Sequence, residues 1–411
     1  FVPVRPVEED QLRDGLHGDV VHVELDQAHV YMSIPQGDSS SGRPDRSIDI
    51  GSTASLCMDS DRQEFFERLL ETASPSGYET PALEAWIDYV SEFVDDVATD
   101  AYGNAVATHE GESDLSIAVT GHADEIGYAV ASITESGFLR IIPVGGADPT
   151  VSRGTQIEIQ TAEGPVNGVI AQTAIHLRDR NGNGETPEIP AQHVDIGAED
   201  EAAARELVEV GDPAIPAAGV HDLAGSRIAG RGIDNRAGLW VAAETLRRAI
   251  ERDVDVSVHA VATVQEELGL KGAQMVGTEL DADAVVAVDV THASDNPAYP
   301  EDQANDVALG EGPVVTRGTA NHPEVVAAVR EAAEAADLSV QLQASGRRTG
   351  TDADAFYTQR GGTPSLNLGV PNRYMHTPVE VIDLADLDEA ADVLVETAAQ
   401  SGDRSTFSVS L

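Results

Sequence analysis

The sequence predicts an α/β fold, a mixed sheet flanked by helices with an inserted small β-rich domain, and three observations carry that expectation. From residue 232 onward, apolar runs of strand length alternate with stretches of helical period, the arrangement of a mostly parallel or mixed sheet covered on both faces. Between residues 128 and 224 the pattern turns to short alternating segments broken by Gly, Pro and Asp, which reads as strands joined by turns. Hydrophobic residues make up 41% of the chain and aromatics only 4%, so a sizeable core is available but must lean on Ala, Val, Leu and Ile. At 411 residues the chain outgrows one small core. The expected organisation is an α/β domain built from residues 58–127 and 225–411, with 128–224 inserted into it.

Taken in order, residues 1–57 lack a strong helical period, carry a Ser/Gly/Pro/Asp stretch from Gly37 to Asp45 and begin at Phe1. They are expected to be an unstructured extension or a misassigned start, with the natural start at Met58; a short N-terminal domain is the competing expectation. Phe65, Phe66, Leu69 and Leu70 then recur at helical spacing. Ser76-x-x-Glu79 has the form of a capping box opening a second helix through Leu83, Trp86, Ile87, Val90 and Val94. A turn at Gly103-Asn104 suggests a hairpin, and the apolar run 115–119 ends by delivering His122. Within the insert, 155–160 and 166–171 read as strands. Beyond it the expected elements are helix 237–250, strands 254–264 and 284–289, helix 323–336, strands 338–343 and 364–368, and helix 385–399.

The formal charge is -47, from 72 acidic against 25 basic residues, and only Lys271 among the bases is a lysine. Acids spread evenly between periodic apolar positions suit a folded protein kept soluble in concentrated salt, where screening shortens the reach of self-repulsion. Nucleic acid and anionic membranes are disfavoured as partners because both would be repelled. A single cysteine, Cys57, excludes an intramolecular disulfide and a thiolate-built zinc site. Any metal must bind through His, Asp and Glu. No apolar run approaches the ~20 residues that span a bilayer, and no basic-then-apolar leader opens the chain, so the expected location is the cytoplasm.

Five short segments set ionisable groups where apolar runs end: Thr120 to Gly127 with His122, Asp124 and Glu125; Gly232 to Gly238 with Asp234 and Arg236; Thr263 to Gly269 with Glu266 and Glu267; Val288 to His292 with Asp289; and Tyr374 to Glu380 with His376. Each alone is a weak signal. A lone His after a strand is usually a surface or hydrogen-bonded residue, and an Asp at a helix start such as Asp234 is usually an N-cap. Together they would gather acids and imidazoles at one edge of one sheet, where open α/β sheets put their ligand sites. Several uncompensated carboxylates there would repel and take up protons; two divalent cations would relieve both problems.

This ordered series, ending in His-Thr-Pro-Val-Glu, closely resembles the M42 metallopeptidases, the tetrahedral aminopeptidases, from about Met58 to the C-terminus, and its acidity suggests a haloarchaeal type. The resemblance implies a di-zinc peptidase-like fold and a two-metal aminopeptidase. It implies that His122 and Asp289 bind separate metals, that Asp234 bridges both, and that Glu267 and His376 complete the sites. The expected grouping is His122, Asp234 and Glu267 on one ion, with Asp234, Asp289 and His376 on the other. Such mixed N/O ligation suits Zn²⁺ or Co²⁺, with Mn²⁺ possible under the same ligands. Asp124 looks like the carboxylate that would hold the other N–H of the His122 ring, or else a loop acid without that bond. Glu266 resembles the family's general base, taking a proton from the activated water and passing it to the leaving amine. The segment Gly350 to Asp354 either resembles a stretch near the substrate pocket or caps a short helix through Phe356. The surroundings of His176 and Leu177 are similarly open, while His292 and Arg236 are expected to be structural, Arg236 pairing with an acid.

In the family the β-rich insert serves dimer formation, and dimers build a hollow twelve-subunit particle; the resemblance implies a dimer-based dodecamer acting on peptides. Rival readings are a related metal-dependent amidase or deacylase, a glycoside hydrolase using Glu266 and Glu267, and a metal-binding scaffold without turnover. The glycosidase is disfavoured because neighbours in sequence seldom face each other across a sugar at ~5–10 Å.

Overall fold

The computed structural model describes residues 20–25, 28–33, 58–178, 186–303, 305–402 and 404–411. The chain divides into two units, Phe1–Ser55 and Leu56–Leu411. In the first, Val20–Leu25 pairs antiparallel with Ala28–Ser33, so this stretch of the expected unstructured extension forms a hairpin; the rest of that expectation lies outside the described residues.

The second unit is a mixed α/β fold. Its eight-stranded sheet runs, edge to edge, Gln341–Ala344, Val314–Arg317, Ser365–Asn372, Ala284–His292, Ser116–His122, Ser257–Thr263, Ala105–His109 and Val97–Thr99. The four central strands are parallel, and antiparallel neighbours flank them on both sides. Alternate residues of each central strand go to opposite faces. Ile117 and Val119 join Val286, Val288, Val258 and Ala260 in the main core under the helices, whereas Ala118, Val261 and Val285 pack on the other face with Ala273 and Phe356. Small aliphatic residues thus supply most of the apolar burial, each large one contributing roughly 1.5–3 kcal/mol.

The expected 237–250 helix is the long Ile233–Glu251, buried along nearly its whole length against the sheet. Helices Ser60–Glu71, Thr80–Val90, Pro323–Ala335 and Leu384–Gln400 complete the layer over the main core. Two glycines set how closely the long helix approaches. A Cβ on Gly121 would lie 2.2 Å from the Gly238 backbone, and one on Gly238 would lie 2.4 Å from the Val288 carbonyl oxygen. Backbone therefore packs on backbone where the helix begins, drawing Asp234 toward the strands that carry His122 and Asp289.

The 128–224 stretch holds a closed six-stranded barrel, His193–Asp195, Leu139–Val144, Gly127–Ile133, Pro213–Pro216, Gln156–Thr161 and Gly164–Ile170 in ring order. Tyr128, Val130, Leu139, Ile141, Ile157, Ile159 and Val194 form a separate core for it. A third sheet of His221–Asp222, Arg227–Gly230 and Glu380–Asp383 pairs Gly230 with Glu380.

The Gly103-Asn104 turn joins antiparallel strands as expected. The capping box does not form. Helix Thr80–Val90 follows Glu79 without a side-chain cap, because Ser76 and Glu79 are buried and bonded elsewhere. Among the described residues no helix is long and apolar enough to cross a membrane.

Candidate metal centre

The parallel strands all end at the same edge. Thr263 lies in register with His122, and the Ala284–His292 strand is registered two residues earlier at Ala287 and Thr120, which carries Asp289 to the level of His122. Glu266 and Glu267 follow in the loop after Thr263. Asp234 arrives from the start of the long helix, where its own backbone and that of Asn235 are still non-helical; the peptide between them is cis. His376 comes from the loop before Glu380, with φ 62°, and Gln265, just ahead of the glutamates, has φ 53°. These are left-handed positions that cost a non-glycine residue energy and persist only where neighbours impose them.

All five expected ligands converge, but in a different grouping. His122 Nε2 lies 3.2 Å from Asp234 Oδ1 and 3.9 Å from Asp289 Oδ1. His376 Nε2 lies 3.3 Å from Asp234 Oδ2 and 3.3 Å from Glu267 Oε1. Two triads result, His122–Asp234–Asp289 and Asp234–Glu267–His376, each with ligand atoms within 4.8 Å of one another. The expected pairing of His122 with Glu267, and of Asp289 with His376, is therefore corrected. The reason is strand order: Asp289 stands on the strand next to His122, whereas the loop after Thr263 turns Glu267 outward to His376. Asp234 faces one triad with each oxygen, as a bridging ligand would.

Two buried carboxylates hold this arrangement from behind. Asp124 Oδ1 sits 3.3 Å from His122 Nδ1 and accepts from the Glu266 N–H at 2.9 Å, while Oδ2 accepts from the Glu267 N–H at 3.1 Å and from the Ser76 hydroxyl at 2.7 Å. Glu380 does the same on the far side, accepting from the Asp234 N–H at 3.0 Å and the His376 N–H at 2.9 Å. Glu79, the other half of the unformed capping box, accepts from the Gln265 N–H at 3.2 Å. Sequence reasoning gave Ser76, Glu79 and Glu380 no part in the site. The usable signal was Glu380 itself, inside the same short motif as His376.

Arg236 is fully buried and pairs with an acid as expected: its guanidinium meets Glu125 Oε1 at 2.9 Å and donates to the Leu69, Thr72 and Ala123 carbonyls. Arg231 holds the other Glu125 oxygen at 2.6 Å. This knot fixes the loop that carries Asp124. His292 is on the exposed cavity wall. The 3-10 turn Ile175–Leu177 is exposed and outside that wall. Helix Ala353–Phe356 begins at Asp352 without a side-chain cap; Asp352 instead accepts from the Thr263 hydroxyl at 2.6 Å, and its other oxygen has no partner. Gly350 and Thr351 line the cavity.

Electrostatics tests whether cations fit. Asp234, Glu266, Glu267 and Asp289 face one cavity, and among the described residues their side-chain ion-pair partners are imidazoles. Burial pushes the Glu266 carboxyl up to about 10, with the Asp289, Asp352 and Glu267 charges adding to it against His122. Burial and then the Asp234 charge raise Asp289 well above the carboxylate range, and burial raises Glu267. Burial opposes ionisation of Asp234 too, but hydrogen bonds from His122 and His376 overcome it and hold its carboxyl low. Donating to the Asp234 and Glu267 carboxylates pushes His376 up to about 11. Carboxyls raised in this way would bind protons that divalent ions would displace, and the N/O donors of the two triads fit such ions.

Asp124→Asn is expected to weaken metal retention and kcat by about 10–100-fold, the usual cost of losing an outer partner, because one carboxamide oxygen cannot serve two N–H groups and a hydroxyl. Equilibrium dialysis against the parent checks it; parent-like retention would leave Asp124 a mere loop acid.

Known proteins resemble this chain in sequence and in fold. The family model described as M42 glutamyl aminopeptidase matches residues 103–393. The lysyl aminopeptidase of Pyrococcus furiosus is 32% identical over 329 residues, covering 79% of this chain and 93% of that protein. A TET aminopeptidase from a marine sediment Thaumarchaeota archaeon superposes with a TM-score of 0.78 at 29% identity, covering 83% of this chain and 97% of that one. The TET peptidase of Pyrococcus horikoshii, which can assemble into a tetrahedron or a large octahedral shell, gives 0.73 at 30% identity, covering 82% and 99%. A family match spanning most of the sequence, over a fold whose strand ends gather two ligand triads, means that this chain belongs to the M42 peptidases.

Proposed function

We propose that the chain is an aminopeptidase that removes N-terminal residues from peptides, using two divalent cations held by His122, Asp234 and Asp289 and by Asp234, Glu267 and His376, with Glu266 as general base. The observation that carries it is one carboxylate beyond the two triads: Glu266 lines the same cavity, with Oε2 3.9 Å from His122 Nε2. When bound, the cations would polarise the scissile carbonyl and supply a water of lowered pKa. Glu266 takes the proton from that water and returns it to the leaving amine. Asp124 keeps the Glu266 and Glu267 backbones in place during the transfer, and Glu380 does so for Asp234 and His376. Zn²⁺, Co²⁺ and Mn²⁺ all suit the donor set.

Cations held by the two triads would also draw the free α-amine of a substrate to that end of the cavity, placing its first peptide bond near Glu266. Peptides with a free N-terminus are therefore expected to be cleaved, and N-acetylated ones not. Faster hydrolysis of N-acetyl amino acids than of amino-acid p-nitroanilides would instead favour the amidase reading. A glycosidase is disfavoured, since Glu267 is committed to His376.

The barrel is proposed to join subunits into dimers and these into a dodecamer, as a cytoplasmic particle of a salt-adapted cell. With a charge of -47 per chain, close packing of subunits depends on screening, which at 1 M salt cuts the Debye length to ~3 Å. Light scattering is expected to show dissociation as KCl falls from molar to ~0.1 M; an unchanged mass would count against both ideas.

A further inference from the structure

We infer that the barrel positions one of the two cation sites: its Gly145-Gly146 turn is the wall that sets Glu267 and His376, whereas His122 and Asp289 are set by the main sheet. The inference rests on the two-cation reading. The turn follows the barrel strand Leu139–Val144 and lies against both ligands. A Cβ on Gly146 would stand 2.7 Å from His376 Nδ1 and 2.8 Å from its Cε1, and one on Gly145 would stand 3.2 Å from Glu267 Cβ. Contacts under 3.0 Å are closer than real Cβ atoms come, so only glycine lets the peptide lie on the ring. Gly146 is not among the left-handed residues; what excludes a side chain there is the imidazole alone.

The two histidines are held differently. His122 is buried, and Asp124 takes its Nδ1 side. The His376 side chain is 35% exposed, on a loop where Tyr374 and Val379 are exposed as well, and its Nδ1 side faces Gly146. The ring torsion of a histidine is soft, so a half-exposed ring keeps Nε2 turned to Asp234 and Glu267 only if something blocks its rotation. The Gly146 peptide does so. The turn is fastened to the barrel: Val144 pairs with Gly127 just before it, and Ala147 packs on the barrel core just after it. Asp148 then accepts from the Thr150 N–H and hydroxyl, both at 2.7 Å, and the nearby Ser152 hydroxyl donates to Gln192 at 2.8 Å. Behind the ligands a cavity of about 30 Å³ marks the seam, with Tyr128, Asp148 and Pro216 of the barrel side facing Asp234, Glu267 and His376. A shift of the barrel therefore carries the wall of this triad with it, while His122 and Asp289 stand within strands of the main sheet.

The test measures Zn²⁺ retention by equilibrium dialysis, with the full chain in molar KCl. Gly146→Ala is expected to weaken one of two bound ions by roughly 10–100-fold, as for the loss of an outer partner, and to leave the other at its parent affinity. Gly219→Ala, where a Cβ would meet nothing closer than 3.8 Å, is expected to match the parent. Combined variants identify the ion. Added to His122→Ala, Gly146→Ala is expected to weaken the one remaining cation; added to Glu267→Ala, it is expected to change nothing. Asp148→Ala, which loosens the turn without crowding the ring, is expected to weaken the same ion to a smaller extent, and it carries the test if Gly146→Ala does not fold. Parent-like retention of both ions in whichever of these two variants folds, equal weakening of both ions, or weakening of the ion left in Glu267→Ala would overturn the inference and leave the two-cation reading intact. A parent that binds no Zn²⁺ would overturn that reading and the barrel's part in it together.

Discussion

Replacing Glu266 by Gln is expected to lower kcat by about 10³-fold, within the range that a positioned general base contributes, while both cations stay bound. Glutamine keeps the shape of the side chain and both hydrogen-bonding ends, so the buried position is filled as before. The Glu266 N–H still reaches Asp124, and neither triad loses a donor. What disappears is the ability to accept a proton. Turnover of a p-nitroanilide, metal content and circular dichroism, measured on the same preparation, separate these effects. Parent-like kcat with full metal content would remove Glu266 from the mechanism.

Removal of the cations is expected to abolish turnover altogether, and Asp234→Asn to do nearly the same by releasing both ions. Asp234 is the one residue common to the two triads, facing His122 with Oδ1 and His376 with Oδ2. Its amide would offer one neutral oxygen in place of two charged ones. Dialysis against a chelator, followed by readdition of Zn²⁺, Co²⁺ or Mn²⁺, tests the first statement; activity that survives chelation would sink the two-cation reading. Single-ligand variants test the grouping. Glu267→Ala and His376→Ala are expected to lose the same ion, and His122→Ala the other, so retention measured ion by ion distinguishes the observed triads from the pairing read from sequence. Loss of one shared ion from His122→Ala and Glu267→Ala would restore the earlier pairing.

Periodicity made the sheet and its helices legible before any coordinates, because Phe65, Phe66, Leu69 and Leu70 on one helix, and Val285 to Val288 on one strand, are spaced by the faces they bury. That the five candidate ligands would gather was legible for a related reason: strands of a parallel sheet deliver their following loops to one edge. What pattern could not supply was adjacency. The grouping of ligands depends on the Ala284–His292 strand lying beside Ser116–His122, a neighbourhood set by a crossover that leaves no local trace. Ser76 and Glu79 misled for the same reason. Their spacing fits a helix cap, but bonds to Asp124 and Gln265, residues distant in sequence, claim them instead. Barrel closure was equally hidden, since it rests on His193–Asp195 pairing on both sides.

The twin clamps at Asp124 and Glu380 have a consequence for how the enzyme is supplied. Each fastens the peptide groups of two neighbours, so the receptacle for the ions is shaped by the polypeptide before either one arrives. Little ordering would be left to be done on loading, so the cost of assembling the site falls on folding rather than on the capture of each ion.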